Sequence, residues 1–337
     1  MKFRLLIVLF GLLQFSCTSQ SKKINGVSFV ASRHVADQSH VNPVLEVNAN
    51  YAAIMPFGFM RKLTTTEVIH NTDRQWFGET RKGAKQYAEL LKKNGIKVMI
   101  KPQIWVWNGE FTGFIEMTSE VDWKAFEASY ESFILEYASL AAEINAEMYC
   151  IGTELYKFVA ARPAFWKELI TKVKKIYKGK LTYAENWDSF EKVPFWEQLD
   201  FIGIDAYFPL SDEKIPSVES LQKGWQQHKT KIKTLSEKLA RKILFTEYGY
   251  RSMDYTGKEP WDSNHKGKTL NLEAQKVALQ ALYNEFWKEE WFAGGFIWKW
   301  FIQDDKVGGA SDDQFTPQNK PAEKIVRETY KKYEWKN

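Results

Sequence analysis

Two rhythms of apolar residues alternate along the chain. Short continuous apolar runs give way to longer stretches in which apolar positions recur every three or four residues. The first kind reads as a strand buried on both faces, the second as a helix with one apolar side. Strands are predicted at 24–32, 51–60, 97–106, 147–152, 181–186, 201–207, 243–246 and 294–300. Helices are predicted at 81–94, 121–145, 164–177, 218–239 and 272–287. In the second of these, Trp123, Phe126, Tyr130, Phe133, Ile134 and Tyr137 share one face. The first stops at Asn94-Gly95, a helix C-terminal signal. Eight strands with helices in most gaps predict an α/β chain, a single-domain (β/α)8 TIM barrel. A doubly wound open sheet is the alternative, but the first turn lacks a phosphate-binding glycine motif. In a barrel, the chemistry belongs at the C-terminal ends of the strands.

Length agrees, since 337 residues suit one barrel of about 250 residues with insertions. Hydrophobic residues make up 44 % of the chain, enough for a large core. Aromatic residues reach 15 %, with 14 tryptophans, a high share for which core filling is one explanation. Flat aromatic faces also stack on the apolar faces of sugar rings. The net charge of +5 comes from Lys and Glu interspersed along helix-like segments, a solvated surface. No dense basic stripe exists, so no nucleic-acid partner is expected. The five histidines show no ligand spacing, and neither HExxH nor a Cys/His cluster occurs. No metal and no cofactor are expected. A Gly-x-Ser-x-Gly elbow is missing, which argues against a serine hydrolase of the α/β type.

The first residues read as a targeting segment. Lys2 and Arg4 precede the apolar stretch 5–13, which is too short to span a bilayer. Ser16-Cys17 then resembles a bacterial lipoprotein site, although Gln14 stands where Leu is usual. The expected organisation is a lipoprotein-type signal at 1–17, a short tether at 18–23 and a catalytic domain at 24–337. Lipidation of Cys17 would anchor the protein to a membrane on its extracytoplasmic side, periplasmic or cell-surface. Only Cys150 would then remain, so no intrachain disulfide could form. A monomer is expected.

Two strings carry the chemistry, Tyr149-Cys-Ile-Gly-Thr-Glu154 and Leu244-Phe-Thr-Glu247-Tyr-Gly. Each is an apolar run ending in a glutamate close to a glycine. A glutamate at the end of a buried strand is costly to desolvate unless something uses it. Glu154 follows the fourth predicted strand and Glu247 ends the seventh. Two carboxyls facing one pocket are what glycosidic bond cleavage requires.

The strings IGTEL, GIDAYFPL, FTEYGYRS and GGFIWKWF resemble glycoside hydrolase family 113, the β-mannanase family. The resemblance spans roughly residues 24–312. It implies a retaining (β/α)8 glycosidase of the clan with glutamates after strands four and seven. Glu154 matches the acid/base and Glu247 the nucleophile. The resemblance also implies that Tyr207, at the end of strand six, hydrogen-bonds the nucleophile, and that Trp298 forms the platform under the cleaved sugar. Most members of the wider clan have Asn directly before the acid/base, where this chain has Thr153. That departure weakens a generic cellulase reading and moves the substrate toward mannan.

Further substrate-binding candidates come from position. Trp300 shares the Trp298 face of strand eight by alternation. Asn186 and Trp187 end strand five, and Trp105 sits late in strand three. Lys101, before Pro102, would point into the barrel and donate to sugar hydroxyls. The expected partner is a β-linked polysaccharide or oligosaccharide, with β-1,4-mannan first. The alternatives are another β-glycan, as hydrolase or transglycosylase, and a catalytically silent sugar-binding lipoprotein. A pure binder has no need of two such carboxylates.

Overall fold

The computed structural model describes residues 22–262 and 269–334. Cys17, and with it the proposed anchor, lies outside the described residues. No helix among these residues is long and apolar enough to cross a membrane.

Among the described residues ten strands form: β1 Ile24–Phe29, β2 Tyr51–Ile54, β3 Phe57–Met60, β4 Lys97–Ile100, β5 Gln103–Val106, β6 Met148–Thr153, β7 Lys180–Asn186, β8 Phe201–Asp205, β9 Lys242–Tyr248 and β10 Phe292–Trp300. Eight of them close a barrel in the order β1-β10-β9-β8-β7-β6-β4-β2. Every neighbouring pair is parallel. The helices are α1 Gln38–Glu46, α2 Arg81–Lys93, α3 Glu120–Glu143, α4 Tyr156–Ala161, α5 Pro163–Ile176, α6 Val218–Leu239, α7 Leu272–Phe286 and α8 Pro321–Lys332. The chain is thus a single-domain (β/α)8 barrel.

Local chemistry sets the helix ends. The side chains of Thr80, Ser119, Ser217 and Asn271 accept from backbone N–H groups of the first turns of α2, α3, α6 and α7. Helices α5 and α8 open on Pro163 and Pro321, where the missing N–H costs nothing.

Two predicted strands are each broken in two. Segments 51–60 and 97–106 leave the barrel at Pro56 and Pro102, which lack the N–H the ladder needs. Past those prolines, β3 and β5 pair with each other as a separate two-stranded parallel sheet above the barrel rim. This extension carries Gln103 and Trp105 over the cavity mouth.

The wall separates two apolar layers by the alternation of strand residues. Tyr51, Met99, Met148, Cys150, Leu244 and Phe296 pack together as the barrel filling. Their sequence neighbours Ala52, Val98, Tyr149, Phe245 and Ile297 belong to the larger layer shared with the helices. Two residues further along the inward rows, the filling turns polar. Met99 is followed by Lys101, Gly203 by Asp205 and Leu244 by Thr246, all three polar groups fully buried. A charged floor at the C-terminal end of an apolar barrel is where a site would be built.

Candidate active site

A cavity of about 1260 Å³ opens over this floor. Glu154, Glu247 and Trp298 line it together, with Gln103, Trp105 and Trp107 along one wall. Irregular backbone puts all three of the first group there. On β6 the pairing with β7 slips between Cys150 and Thr153. Gly152 consequently sits hard against the outer aromatic layer, where a Cβ would come within 2.6 Å of the Tyr130 hydroxyl. Only glycine fits, and the chain past it carries Glu154 to the cavity at φ 52°. On β9 the register against β8 slips so that Ile204 faces Phe245 but Asp205 faces Glu247. Simple alternation would turn Glu247 outward after inward Thr246. The bulge aims it inward instead. Gly249 then passes the wall closely, since a Cβ there would meet the Trp298 carbonyl at 2.3 Å.

Three donors converge on Glu247. Lys101 Nζ donates to Oε1 at 2.5 Å, Gln103 Nε2 to Oε1 at 2.8 Å, and Tyr207 Oη to Oε2 at 2.8 Å. That is the donor set a carboxylate anion accepts. Lys101 also donates to Asp205 Oδ1 at 3.3 Å, and Thr246 Oγ1 donates to the same oxygen at 2.7 Å. Burial works to lower the Lys101 pKa, but the Asp205 and Glu247 carboxylates outweigh it and hold the ammonium above its ordinary value. Asp205 is pushed up to about 7, by burial first and by the Glu247 charge second, with Lys101 opposing.

Glu154 has the opposite surroundings. No hydrogen bond or ion pair to another described residue engages its carboxyl. Its pKa stands well above the usual carboxylate range, because of desolvation first and then the Asp205 and Glu247 charges. A carboxyl that keeps its proton, beside one held by a cation and two further donors, divides the pair into an acid and a base or nucleophile.

The other sequence candidates fall into two groups. Trp105 is half exposed on β5 and lines the cavity, as does partly buried Trp298. Lys299 sits over the Trp298 ring at 5.5 Å. Trp300 does not join them. Its indole is 1 % exposed and belongs to the layer between wall and helices. The register between β1 and β10 slips there, Val27 facing Ile297 and Phe29 facing Trp300, so alternation ends at Trp298. Asn186 and Trp187 are not among the residues lining the cavity. Trp187 stacks on Trp261 at 5.1 Å and meets Phe208 edge-on at 5.8 Å. Lys101 is 0 % exposed, so it cannot reach a sugar hydroxyl, and its partners are the Asp205 and Glu247 carboxylates.

Gln103 was not foreseen from the sequence. It follows Lys101 by two positions across Pro102, and that spacing on one strand was the available signal. Trp107, which follows Trp105 by two positions, is more exposed than Trp105 and lines the same wall.

The family model of glycoside hydrolase family 113 matches residues 31–320. Among solved structures, the chain resembles a GH113 β-mannanase from Alicyclobacillus acidocaldarius in complex with ManMIm, at 24 % identity and TM-score 0.81, over 93 % of this chain and 98 % of that one. It also resembles a GH113 β-1,4-mannanase complex, at 20 % identity and TM-score 0.80, over 92 % and 99 %. A β-glucuronidase from Ruminococcus gnavus shares the barrel at 13 % identity and TM-score 0.61, over 90 % of this chain and 49 % of that one. No curated protein matches the sequence.

Proposed function

The chain belongs to glycoside hydrolase family 113, and on that premise we propose that it cleaves β-1,4-mannosidic bonds in mannan or manno-oligosaccharides with retention of configuration. The observation that carries the mechanism is the unlike treatment of two carboxyls in one cavity. Glu247 is held by Lys101, Gln103 and Tyr207, while the Glu154 carboxyl is desolvated and has no hydrogen-bonding partner among the described residues. The likeness to two β-mannanases of the same family supports the substrate.

In the first step a Glu247 oxygen attacks the anomeric carbon as the glycosidic C–O bond breaks. Glu154 gives its proton to the leaving oxygen, and a glycosyl-enzyme ester forms on Glu247. In the second step water attacks that carbon from the vacated side. Glu154, now ionised, takes the water proton, and the ester bond to Glu247 breaks. Trp298 offers a flat face beside the reacting ring. Trp105 and Trp107 extend apolar surface along the wall for neighbouring sugars.

Proton NMR during digestion of manno-oligosaccharides tests substrate and stereochemistry together. The β-anomer is expected first, with mutarotation following. An initial α-anomer would show inversion and sink the mechanism. Glu154→Gln and Glu247→Gln should fold normally and lose mannan hydrolysis, and full activity in either would remove that residue's role.

The same reading includes the N-terminal segment as a lipoprotein signal with Cys17 as the anchored residue. Cys17→Ala should move the protein from the membrane fraction to the soluble fraction. Unchanged fractionation would count against the anchor.

A further inference from the structure

Glu154 occupies left-handed backbone, with φ 52°, a conformation that L side chains seldom adopt. Something must hold it there. Its own N–H donates to the Ala184 carbonyl at 2.8 Å. Its carbonyl accepts from Thr112 Oγ1 at 3.0 Å. The next N–H, that of Leu155, donates to Tyr183 Oη at 2.8 Å. The Tyr183 hydroxyl in turn donates to Glu185 Oε2 at 3.1 Å. The other Glu185 oxygen accepts from the Asn186 N–H and the Ser189 hydroxyl, both at 2.9 Å.

Tyr183 and Glu185 lie outside the cavity. Alternation along β7 turns both toward the helices, and both are fully buried. The Tyr183 ring packs against Trp166 and Phe195, with ring centres 5.4 Å away in each case. Glu185 is therefore a buried carboxyl that takes no part in the proposed reaction. A buried carboxyl is expensive unless its oxygens are satisfied, and here three donors satisfy them. As an ionised group it only accepts, so it obliges the Tyr183 hydroxyl to donate to it. The Tyr183 lone pair is then left facing the Leu155 N–H.

We propose that Tyr183 and Glu185 are positioning residues for Glu154, fixing the backbone turn that aims its carboxyl at the leaving-group oxygen. The chain of contacts runs from the Ser189 and Asn186 donors through Glu185, Tyr183 and Leu155 to Glu154. Neither residue touches substrate. Loosening the turn removes proton transfer while leaving sugar binding and the Glu247 attack in place. General acid–base catalysis contributes about 10²–10⁴-fold, and a misplacement of about 1 Å can forfeit much of it.

The inference rests on Glu154 being the acid/base, and the experiment separates the two. Wild type, Glu154→Ala, Tyr183→Phe and Glu185→Gln are compared on mannan and on a 2,4-dinitrophenyl β-mannobioside, with and without sodium azide. Dinitrophenolate leaves without protonation, so the first step on that substrate needs no acid. Azide attacks the glycosyl-enzyme without needing a base. Glu154→Ala should lose mannan activity, and azide should accelerate its turnover of the aryl glycoside, giving a β-mannobiosyl azide. Tyr183→Phe and Glu185→Gln should show the same pattern more mildly. Their kcat on mannan should fall about 10–100-fold with KM within about threefold, and azide should raise aryl glycoside turnover above the wild-type response. Ser189→Ala keeps both the ring and the carboxylate, so it carries the test if the other variants do not fold. Its azide response should be smaller and in the same direction. Equal losses on both substrates with no azide response would reduce Tyr183 and Glu185 to packing and overturn the proposal. If azide fails to rescue Glu154→Ala itself, the acid/base assignment falls, and the positioning role with it.

Discussion

Replacing Lys101 with methionine keeps the length of the side chain and deletes one buried cation. It leaves two carboxyls, Glu247 and Asp205, facing the vacated place. In the native protein the ammonium lies 2.5 Å from Glu247 Oε1 and 3.3 Å from Asp205 Oδ1, with no exposure to solvent. At an effective dielectric near 20 these attractions are about 7 and about 5 kcal/mol, most of which is offset by desolvating the ammonium. Deleting one partner of a buried pair costs about 3–5 kcal/mol, because the remaining charge is stranded. The variant can soften that cost by holding a proton in the folded state. Asp205, with its value near 7, already does so in the wild type below neutrality. Without Lys101 a second carboxyl must hold one as well.

The sign follows from linkage. A carboxyl whose folded value is raised makes the folded state bind more protons than the unfolded chain. Stability is then lost as pH rises from the unfolded value toward the folded one. For a glutamate with an unfolded value of about 4.3, keeping the proton costs about 4 kcal/mol at pH 7 and about 1 kcal/mol at pH 5. Urea unfolding of Lys101→Met against wild type should therefore show a loss of about 4 kcal/mol at pH 7, shrinking to about 1 kcal/mol at pH 5. Mannan hydrolysis should fall with it, because a Glu247 that shares a proton cannot attack. At 1.36 kcal/mol per decade, a cost of this size predicts kcat/KM lower by about 10²–10³-fold at pH 7, with the acidic limb of the rate profile moved upward. A destabilisation that is equal at both pH values, or larger at pH 5, would refute the reasoning. So would activity within tenfold of wild type.

The two strand-eight tryptophans should separate cleanly. Trp298→Ala should lower kcat/KM on mannan about tenfold or more with little change in Tm, whereas Trp300→Ala should lose about 3–5 kcal/mol of stability in denaturant unfolding, as a large buried ring does. Equal effects of the two on Tm would contradict their placement on opposite sides of the wall. Trp105, with 50 % of its surface exposed, should act through substrate alone. Trp105→Ala is expected to raise KM for long manno-oligosaccharides up to about tenfold and leave short ones unchanged, measured by initial rates with Tm as control.

How far the sequence could be read depended on whether the backbone stayed regular. Where strands alternate without interruption, as in β4 with Val98 outward and Met99 inward, apolar runs report the barrel directly. The three strands that deliver Glu154, Glu247 and Trp298 break that rule toward their C-terminal ends. β6 slips between Cys150 and Thr153, β9 at Glu247 and β10 past Ile297. Period-two counting therefore put Trp300 on the Trp298 face and would have turned Glu247 outward. The two glutamates were legible for another reason. A carboxyl at the end of an apolar run is expensive wherever it points, so its presence signals use before its direction is known. Lys101 carried the same signal, but not its purpose. A lysine within a strand pattern says that a cation is buried, and only the folded barrel shows which charges surround it. Asp205, 104 residues away on the far side of the ring, and Glu247, 146 residues away, are its partners. Those contacts exist because β4, β8 and β9 reach the same level of a closed barrel, a condition set by shear and register that no local window contains. The Tyr183–Glu185 chain was hidden in the same way. Its residues alternate as an ordinary outward row of β7, and only the slip in β6 brings the Leu155 N–H against the Tyr183 hydroxyl. The departures from regular strand geometry thus fall where the cavity side chains are aimed, and they removed from the sequence pattern the positions on which the proposed chemistry depends.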